Sequence, residues 1–206
     1  MIEIILLVSS VLFIFALKLF GKPSTAHRAN VFAMLAMALA VFSAFNFDFS
    51  KYDSAFYITI VVSGLLGVLI SKRVQMTQMP ELVGLFNGFG GGASGAIAYV
   101  ELSGNSLPIS DVFVAIFSMV IGIFTFSGSL VAVMKLRGKL NNFNKKLADI
   151  FSVFLPTIIL IPVVLEMDDL LIEFIILVSL IGGVIRVAVI GGADMPVVIA
   201  FLNSLS

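Results

Sequence analysis

Hydrophobic residues occur in long runs separated by short polar segments. The first run, residues 2–20, carries charges only near its ends, at Glu3 and Lys18. A bilayer core needs roughly 20 residues of helix, and this run has neither the basic start nor the small-residue cleavage site of a signal peptide. Further runs predict helices over residues 31–47, 54–71, 80–101, 111–134, 147–165 and 170–190. The pattern predicts an all-α fold, a polytopic transmembrane helix bundle.

The last apolar segment is shorter than the others. After Asp194 the remaining residues make only about 20 Å of helix, whereas the bilayer core is about 30 Å thick. We therefore expect seven complete helices plus the start of an eighth, in one transmembrane domain spanning residues 1–206. This domain would be incomplete at its C-terminus and without a soluble domain, as in a fragment, a truncated gene model or a subunit completed by another polypeptide. Pro156 and Pro162 predict a kink in the sixth helix.

Composition supports a membrane protein and excludes several kinds of chemistry. The chain is 60% hydrophobic and 12% charged, with a mean hydropathy of +1.18, whereas soluble domains are about half apolar. It has no cysteine and a single histidine, His27, so we expect no metal site and no catalytic residues of a soluble-enzyme type. The 12 basic residues balance the 12 acidic residues, which gives no net attraction to nucleic acid.

The distribution of charge predicts the orientation. Most basic residues lie at the loops that follow the first, third and fifth predicted helices, namely Lys18, Lys22, Arg28, Lys72, Arg73, Lys135, Arg137, Lys139, Lys145 and Lys146. Loops rich in Lys and Arg stay in the cytoplasm, so the N-terminus is predicted to lie outside. In this assignment His27 and Arg28 belong to a polar loop over residues 21–30, and residues 135–146 form a basic loop.

Two stretches resemble each other: MTQMPELVGLFNGFGGGASGA at residues 76–96 and GGADMPVVIAFLNS at residues 191–204. Each has Met-Pro and an acidic residue where a helix could begin, since proline is tolerated in a first turn and a carboxylate complements the helix dipole there. Asn87 and Asn203 each follow the proline by seven residues, about 10 Å along a helix. Both stretches start on the predicted cytoplasmic side, so the two amides are candidates for one polar layer.

Small and hydroxyl-bearing residues surround these amides in the sequence. The segment after Asn87 has almost no side-chain volume, which favours close helix packing or room for water. Its glycines are Gly88, Gly90, Gly91, Gly92 and Gly95. Hydroxyl groups that could extend a hydrogen-bonded path are those of Ser63, Ser118, Thr125, Ser127, Ser129 and Thr157. The simpler interpretation is that both Asn residues only join helices, and that Asp194 only caps one.

Four strings resemble a known family over essentially the whole chain. MTQMPELVGLFNGFGGGAS, IGGADMPVVIAFLNS, STAHRAN and FTFSGSLVAVMKLRGKL are similar to the membrane domain of the beta subunit of proton-translocating nicotinamide nucleotide transhydrogenase. In that family nine membrane helices precede a soluble NADP(H)-binding domain, so the resemblance implies that the last helices and this domain are missing. It also implies a multi-pass protein of the bacterial cytoplasmic (inner) membrane.

The resemblance implies a function. The chain would be the proton path of an Si/Re-specific NAD(P)+ transhydrogenase, coupling inward proton movement to hydride transfer from NADH to NADP+. NAD(H) and NADP(H) would be bound by missing or partner soluble domains, so this chain would hold no cofactor and no hydride-transfer site. By position, Asn203 matches a channel Asn, Ser129 a residue of the polar path, and Asp194 a residue that couples to the NADP(H) domain.

Asn87 departs from the family pattern. Many members have a protonatable His at this position, whereas an amide exchanges no proton near neutral pH. The resemblance therefore implies that a membrane helix of a partner alpha subunit supplies a His beside Asn87 and Asn203. The complex is expected to be a dimer of protomers embedded in lipid, with no nucleic acid.

Two other classes of function remain open. A secondary transporter also uses Gly- and Pro-interrupted helices with polar groups at mid-depth, but its repeats are commonly inverted, whereas both Met-Pro stretches start on the same side. The predicted helices also hold no carboxylate at mid-depth for ion coupling. A purely structural membrane subunit would need no matched pair of amides.

Overall fold

The chain is all-helical wherever the computed structural model describes it, in residues 2–44, 52–104, 108–140 and 169–205. Labels count only the helices of these ranges, which are α1 (Ile2–Phe20), α2 (Ala26–Ala44), α3 (Ser54–Arg73), α4 (Met79–Gly104), α5 (Ile109–Leu136), α6 (Asp169–Ala188) and α7 (Met195–Leu205). No strand occurs in these ranges. The predicted all-α class is therefore confirmed for the described part of the chain.

Five of these helices, α1, α2, α3, α5 and α6, are long and apolar enough to cross a membrane. The total number of helices and the position of the N-terminus stay predictions. The sixth predicted helix, with Pro156, Pro162 and Thr157, lies outside the described residues.

Two assignments of charged residues to loops are wrong. α2 begins at Ala26, directly after a 3-10 turn at Pro23–Thr25, so His27 and Arg28 lie in its first turn. The Thr25 hydroxyl donates a hydrogen bond to the carbonyl oxygen of Leu19 at 2.5 Å, which holds the 3-10 turn against the end of α1. The 3-10 turn leads directly into α2.

Lys135, predicted to start a basic loop, instead lies in the last turn of α5, and only 6% of its surface is exposed. Its ammonium group donates to the carbonyl oxygen of Ile190 at 2.5 Å. That hydrogen bond compensates for burying the charge, which hydropathy alone assigns to solvent.

Contacts divide the chain into two compact units, Met1–Lys72 and Arg73–Ser206. In the first unit, α1 and α2 pair as an antiparallel hairpin with Ala16, Ala29 and Ala36 buried. The Ser9 hydroxyl donates to the carbonyl oxygen of Ala36 at 2.7 Å, which gives a polar side chain a partner within this hairpin.

In the second unit, α5 is the central helix and packs against α4, α6 and α7. It crosses α4 where the backbones of Gly91 and Gly95 meet Gly122. A Cβ on Gly91 would lie 2.7 Å from the Gly122 carbonyl oxygen, and one on Gly122 would lie 2.6 Å from the Gly95 nitrogen. Only glycine permits this approach, because any side chain would overlap with backbone atoms.

Two apolar clusters fix the directions of the helices in this unit. Near the start of α5, Ile116 and Met119 pack with Ile172 and Ile175 of α6. Near its end, the cluster consists of Val131, Ala132, Val187, Ala188, Met195, Ile199 and Leu202. α5 and α6 are therefore parallel, and α7 begins at the end of the unit where α5 finishes.

Adjacent glycines in α4 provide a matched test of the helix contact. Gly91→Ala should lower stability by about 1–3 kcal/mol, because the added methyl overlaps with α5. Gly90→Ala should leave stability unchanged or slightly raised, since nothing lies within 4 Å of its Cβ position and alanine favours helix. Thermal unfolding of the purified complex in detergent measures both, and equal melting temperatures for the two variants would contradict the packing.

Candidate functional site

The two Met-Pro stretches form the same local structure. A 3-10 turn, Met76–Gln78 in one and Gly192–Asp194 in the other, leads directly into a helix whose first two residues are Met and Pro. The backbone N–H of Gln75 donates to Oε1 of Gln78 at 3.2 Å. In the second turn, the Asp194 amide donates to the Gly191 carbonyl oxygen at 3.1 Å. The prediction that each Met-Pro opens a helix is confirmed.

A groove of about 500 Å³ runs between α4 and α7 and brings the two predicted amides together. Its lining consists of Val83, Phe86, Asn87 and Gly90 from α4, and of Pro196, Ile199, Ala200 and Asn203 from α7. Apart from the two amides, the side chains of this lining are apolar. Asn87 and Asn203 are therefore the two polar side chains of this lining.

Asn87 is held in a defined position. Its Nδ2 donates a hydrogen bond to the Ser129 hydroxyl at 2.9 Å, and the two residues are 8% and 0% exposed. Gly88 allows this contact, because a Cβ there would lie only 3.1 Å from Ser129 Cβ. Oδ1 of Asn87 is buried and has no hydrogen-bond partner within the described residues. A buried, unpaired oxygen of this kind costs about 1–3 kcal/mol, so the site holds an acceptor ready for a donor.

Asn203 differs from Asn87 in burial. It is exposed, whereas its neighbour Leu202 is only 2% exposed and packs in the cluster with α5. Because consecutive helical residues point about 100° apart, Leu202 directed at α5 leaves Asn203 at the groove. Both amides, each seven residues after a proline, line one groove. Asn87 is buried there, whereas Asn203 is exposed.

The five predicted glycines have three different environments. Gly88, Gly91 and Gly95 are buried against α5. Gly92 faces the ring of Phe126, with a Cβ position 3.1 Å from the ring. Gly90 meets nothing within 4 Å and lines the groove. Four glycines therefore serve helix packing, and only Gly90 leaves space beside the amides.

Charged residues gather at the end of the unit where α4 and α7 begin. Arg137, just after α5, forms an ion pair with Glu81 in the first turn of α4, with Nε and Oε2 2.6 Å apart. Gly192 lies beside the Lys135 carbonyl oxygen, so the turn that carries Asp194 rests against the end of α5. Asp194 itself is exposed. A carboxylate that could contact another domain therefore lies within the turn that precedes α7.

Comparison with known proteins decides the family. The family model described as NAD(P) transhydrogenase beta subunit matches residues 2–206. The chain belongs to this family. Two curated relatives from Rhodospirillum rubrum, each named NAD(P) transhydrogenase subunit beta, are 29% identical over 214 residues, which cover 97% of this chain and 46% of the relative. The chain thus spans about half the length of the curated relatives it matches.

Membership of the transhydrogenase beta-subunit family confirms the resemblance seen in the sequence. Together with the five helices that are long and apolar enough to span a bilayer, it identifies a multi-pass membrane protein. In the described part of the chain, no group of three or more His, Asp or Glu residues could hold a metal ion.

Sequence reasoning missed several contacts of this beta-subunit domain. It did not predict the Asn87–Ser129 hydrogen bond, the Glu81–Arg137 pair or the burial of Lys135. The only sequence signal for the ion pair was that Glu81 lies in the first turn of one predicted helix and that Arg137 follows the next predicted helix. It also missed a second polar cavity, of about 330 Å³, lined by Ser94, Glu101, Asp111 and Ser118 towards the opposite end of α4 and α5.

Proposed function

We propose that this chain is the membrane proton-conducting part of an NAD(P) transhydrogenase of the bacterial cytoplasmic membrane. It would couple inward proton movement to hydride transfer from NADH to NADP+, with both nucleotides bound by soluble domains outside this chain. Family membership and the apolar helices support this function. The observation that carries it is the buried Oδ1 of Asn87, which has no hydrogen-bond partner in the described part of the chain, beside a groove that Asn203 also lines.

The two amides orient a proton carrier and do not themselves titrate. An amide offers donors and an acceptor but exchanges no proton near neutral pH. The remaining side chains of the groove lining are apolar, so the titrating group must come from elsewhere. We assign this role to a His on a membrane helix of a partner alpha subunit, in a complex that contains two protomers. An imidazole fits the chemistry, because it titrates near neutral pH and can donate to Asn87 Oδ1.

Coupling requires two states that nucleotide binding favours differently. Asp194 is exposed at the start of α7, and Asn203 lies on the same helix. A contact between Asp194 and the NADP(H)-binding domain would therefore act on the helix that forms one wall of the groove. Gly191 precedes the 3-10 turn that carries Asp194 and Gly192 begins it, and these two glycines give the backbone there freedom to change. In this way α7 would transmit the nucleotide state to the proton path.

The role of Asn203 has a matched control in its neighbour. Asn203→Leu in the complete complex should abolish coupled proton movement, because it removes one of the two polar side chains of the groove. Nucleotide binding to the soluble domains should survive. Ser204→Leu makes a similar change one residue away, where the hydroxyl donates only to Phe201 of its own helix, and should retain pumping. Pumping is measured in proteoliposomes with a pH-sensitive dye, and normal pumping by Asn203→Leu would refute the role.

The proposed orientation puts the N-terminus outside and the starts of α4 and α7 in the cytoplasm. The charge distribution supports it, since Arg137 and Lys139 follow α5 at that end. Because the chain has no cysteine, single cysteines can report the side of each loop.

Labelling with a membrane-impermeant maleimide tests this orientation. Lys139→Cys and Gly104→Cys introduce thiols at exposed positions near opposite ends of the second unit. Lys139→Cys should react in inside-out vesicles and be protected in right-side-out vesicles, and Gly104→Cys should do the reverse. The opposite pattern would invert the topology and would put Asp194 on the outer side.

A further inference from the structure

Thr125, one of the hydroxyl residues that could extend a hydrogen-bonded path, is fully buried in the second unit. It lies on α5 one turn before Ser129, has no exposed surface, and its hydroxyl has no hydrogen-bond partner within the described residues. Two other buried hydroxyls of the second unit bond to the backbone of their own helix. Ser127 donates to the Phe124 carbonyl oxygen at 3.2 Å and Ser179 to that of Ile175 at 2.7 Å. The Thr125 hydroxyl differs from these two in having no such partner among the described residues.

That position is next to the Asn87–Ser129 pair. α4 and α5 are antiparallel, so the residue one turn after Asn87 on α4, Gly91, meets the residue one turn before Ser129 on α5. A Cβ on Gly91 would lie 2.8 Å from Thr125 Cβ. Thr125 and the amide of Asn87 thus occupy consecutive turns of one helix interface. Each contributes a side-chain oxygen that has no hydrogen-bond partner among the residues that the structure describes.

An unpaired hydroxyl inside a helix interface costs free energy that a valine of nearly the same shape would avoid. Buried waters bind groups of this kind, typically through about three hydrogen bonds. A hydroxyl is one donor and two acceptors, so it can continue a chain of hydrogen bonds without titrating. These properties suit a residue that holds water in a proton path.

We propose that Thr125 is a further positioning residue of the proton path. Its hydroxyl and Asn87 Oδ1 hold water that continues the path from the Asn87–Ser129 pair one turn further from the Met-Pro end of α4. This inference rests on the proposed function, because it extends the same polar site. It predicts that proton movement needs the hydroxyl at residue 125 as well as the amides.

Removal of this hydroxyl in the complete complex tests the inference. Thr125→Val should lower the rate of coupled proton translocation about tenfold, the order expected for one lost hydrogen bond. Its melting temperature should stay the same or rise, because no unpaired hydroxyl remains. Thr125→Ser should retain pumping. Ser127→Ala, a control two residues away whose hydroxyl bonds only to its own helix, should also retain it.

A second pair of variants covers a failure of Thr125→Val to assemble. Thr125→Ala and Thr125→Ser differ by a single hydroxyl, and the inference requires the Ala variant to pump about tenfold more slowly than the Ser variant. Equal pumping by this pair, or normal pumping by Thr125→Val, overturns the inference.

Ser129→Ala and Asn203→Leu separate this inference from the proposed function. If they abolish pumping while Thr125→Val does not, only the role of Thr125 fails. If these two variants also pump normally, the proposed function fails with it.

Discussion

The contact between α4 and α5 is the constraint on which the rest of the second unit depends. Gly91, Gly95 and Gly122 bring the two backbones so close that no side chain fits between them. This approach buries Ser129 and lets Asn87 donate a hydrogen bond to it. Hydrogen bonds between polar groups are stronger in such surroundings, and unpaired groups are more costly. The polar site is therefore a product of the tight helix packing beside it.

The groove has one wall fixed by that contact and one wall formed by a short helix. α4 packs along its length on α5, whereas α7 follows the short turn Gly192–Asp194. The proposed coupling relies on this difference, since it would require α7 to move while α4 stays packed on α5. Two parallel helices that begin at the same end do not form the inverted repeat common in secondary transporters. The observed arrangement therefore differs from the two inverted halves of such a transporter.

Some of this site could be predicted from the sequence, and some could not. The Met-Pro stretches predicted two helix starts, because proline in a first turn depends only on local helix geometry. The seven-residue offset of Asn87 and Asn203 suggested one polar layer, which stays a prediction, although both residues line the same groove. The Asn87–Ser129 bond and the unpaired Thr125 depend on how α5 is rotated against α4, which periodicity does not specify. The prediction assigned charged residues to loops, and it was wrong for His27, Arg28 and Lys135, which lie in helices. A buried Lys with a carbonyl partner violates that rule.

The central claim is that Asn87 and Asn203 line a groove that holds water, and that a titrating side chain of another subunit lies in this groove. An electron cryo-microscopy structure of the complete complex in a lipid membrane, at a resolution that shows ordered water, tests it most directly. We predict water in the groove between α4 and α7, and a histidine of the partner subunit within hydrogen-bond distance of Asn87 Oδ1. A groove filled by acyl chains or by apolar side chains, with no titrating group near either amide, would contradict the claim.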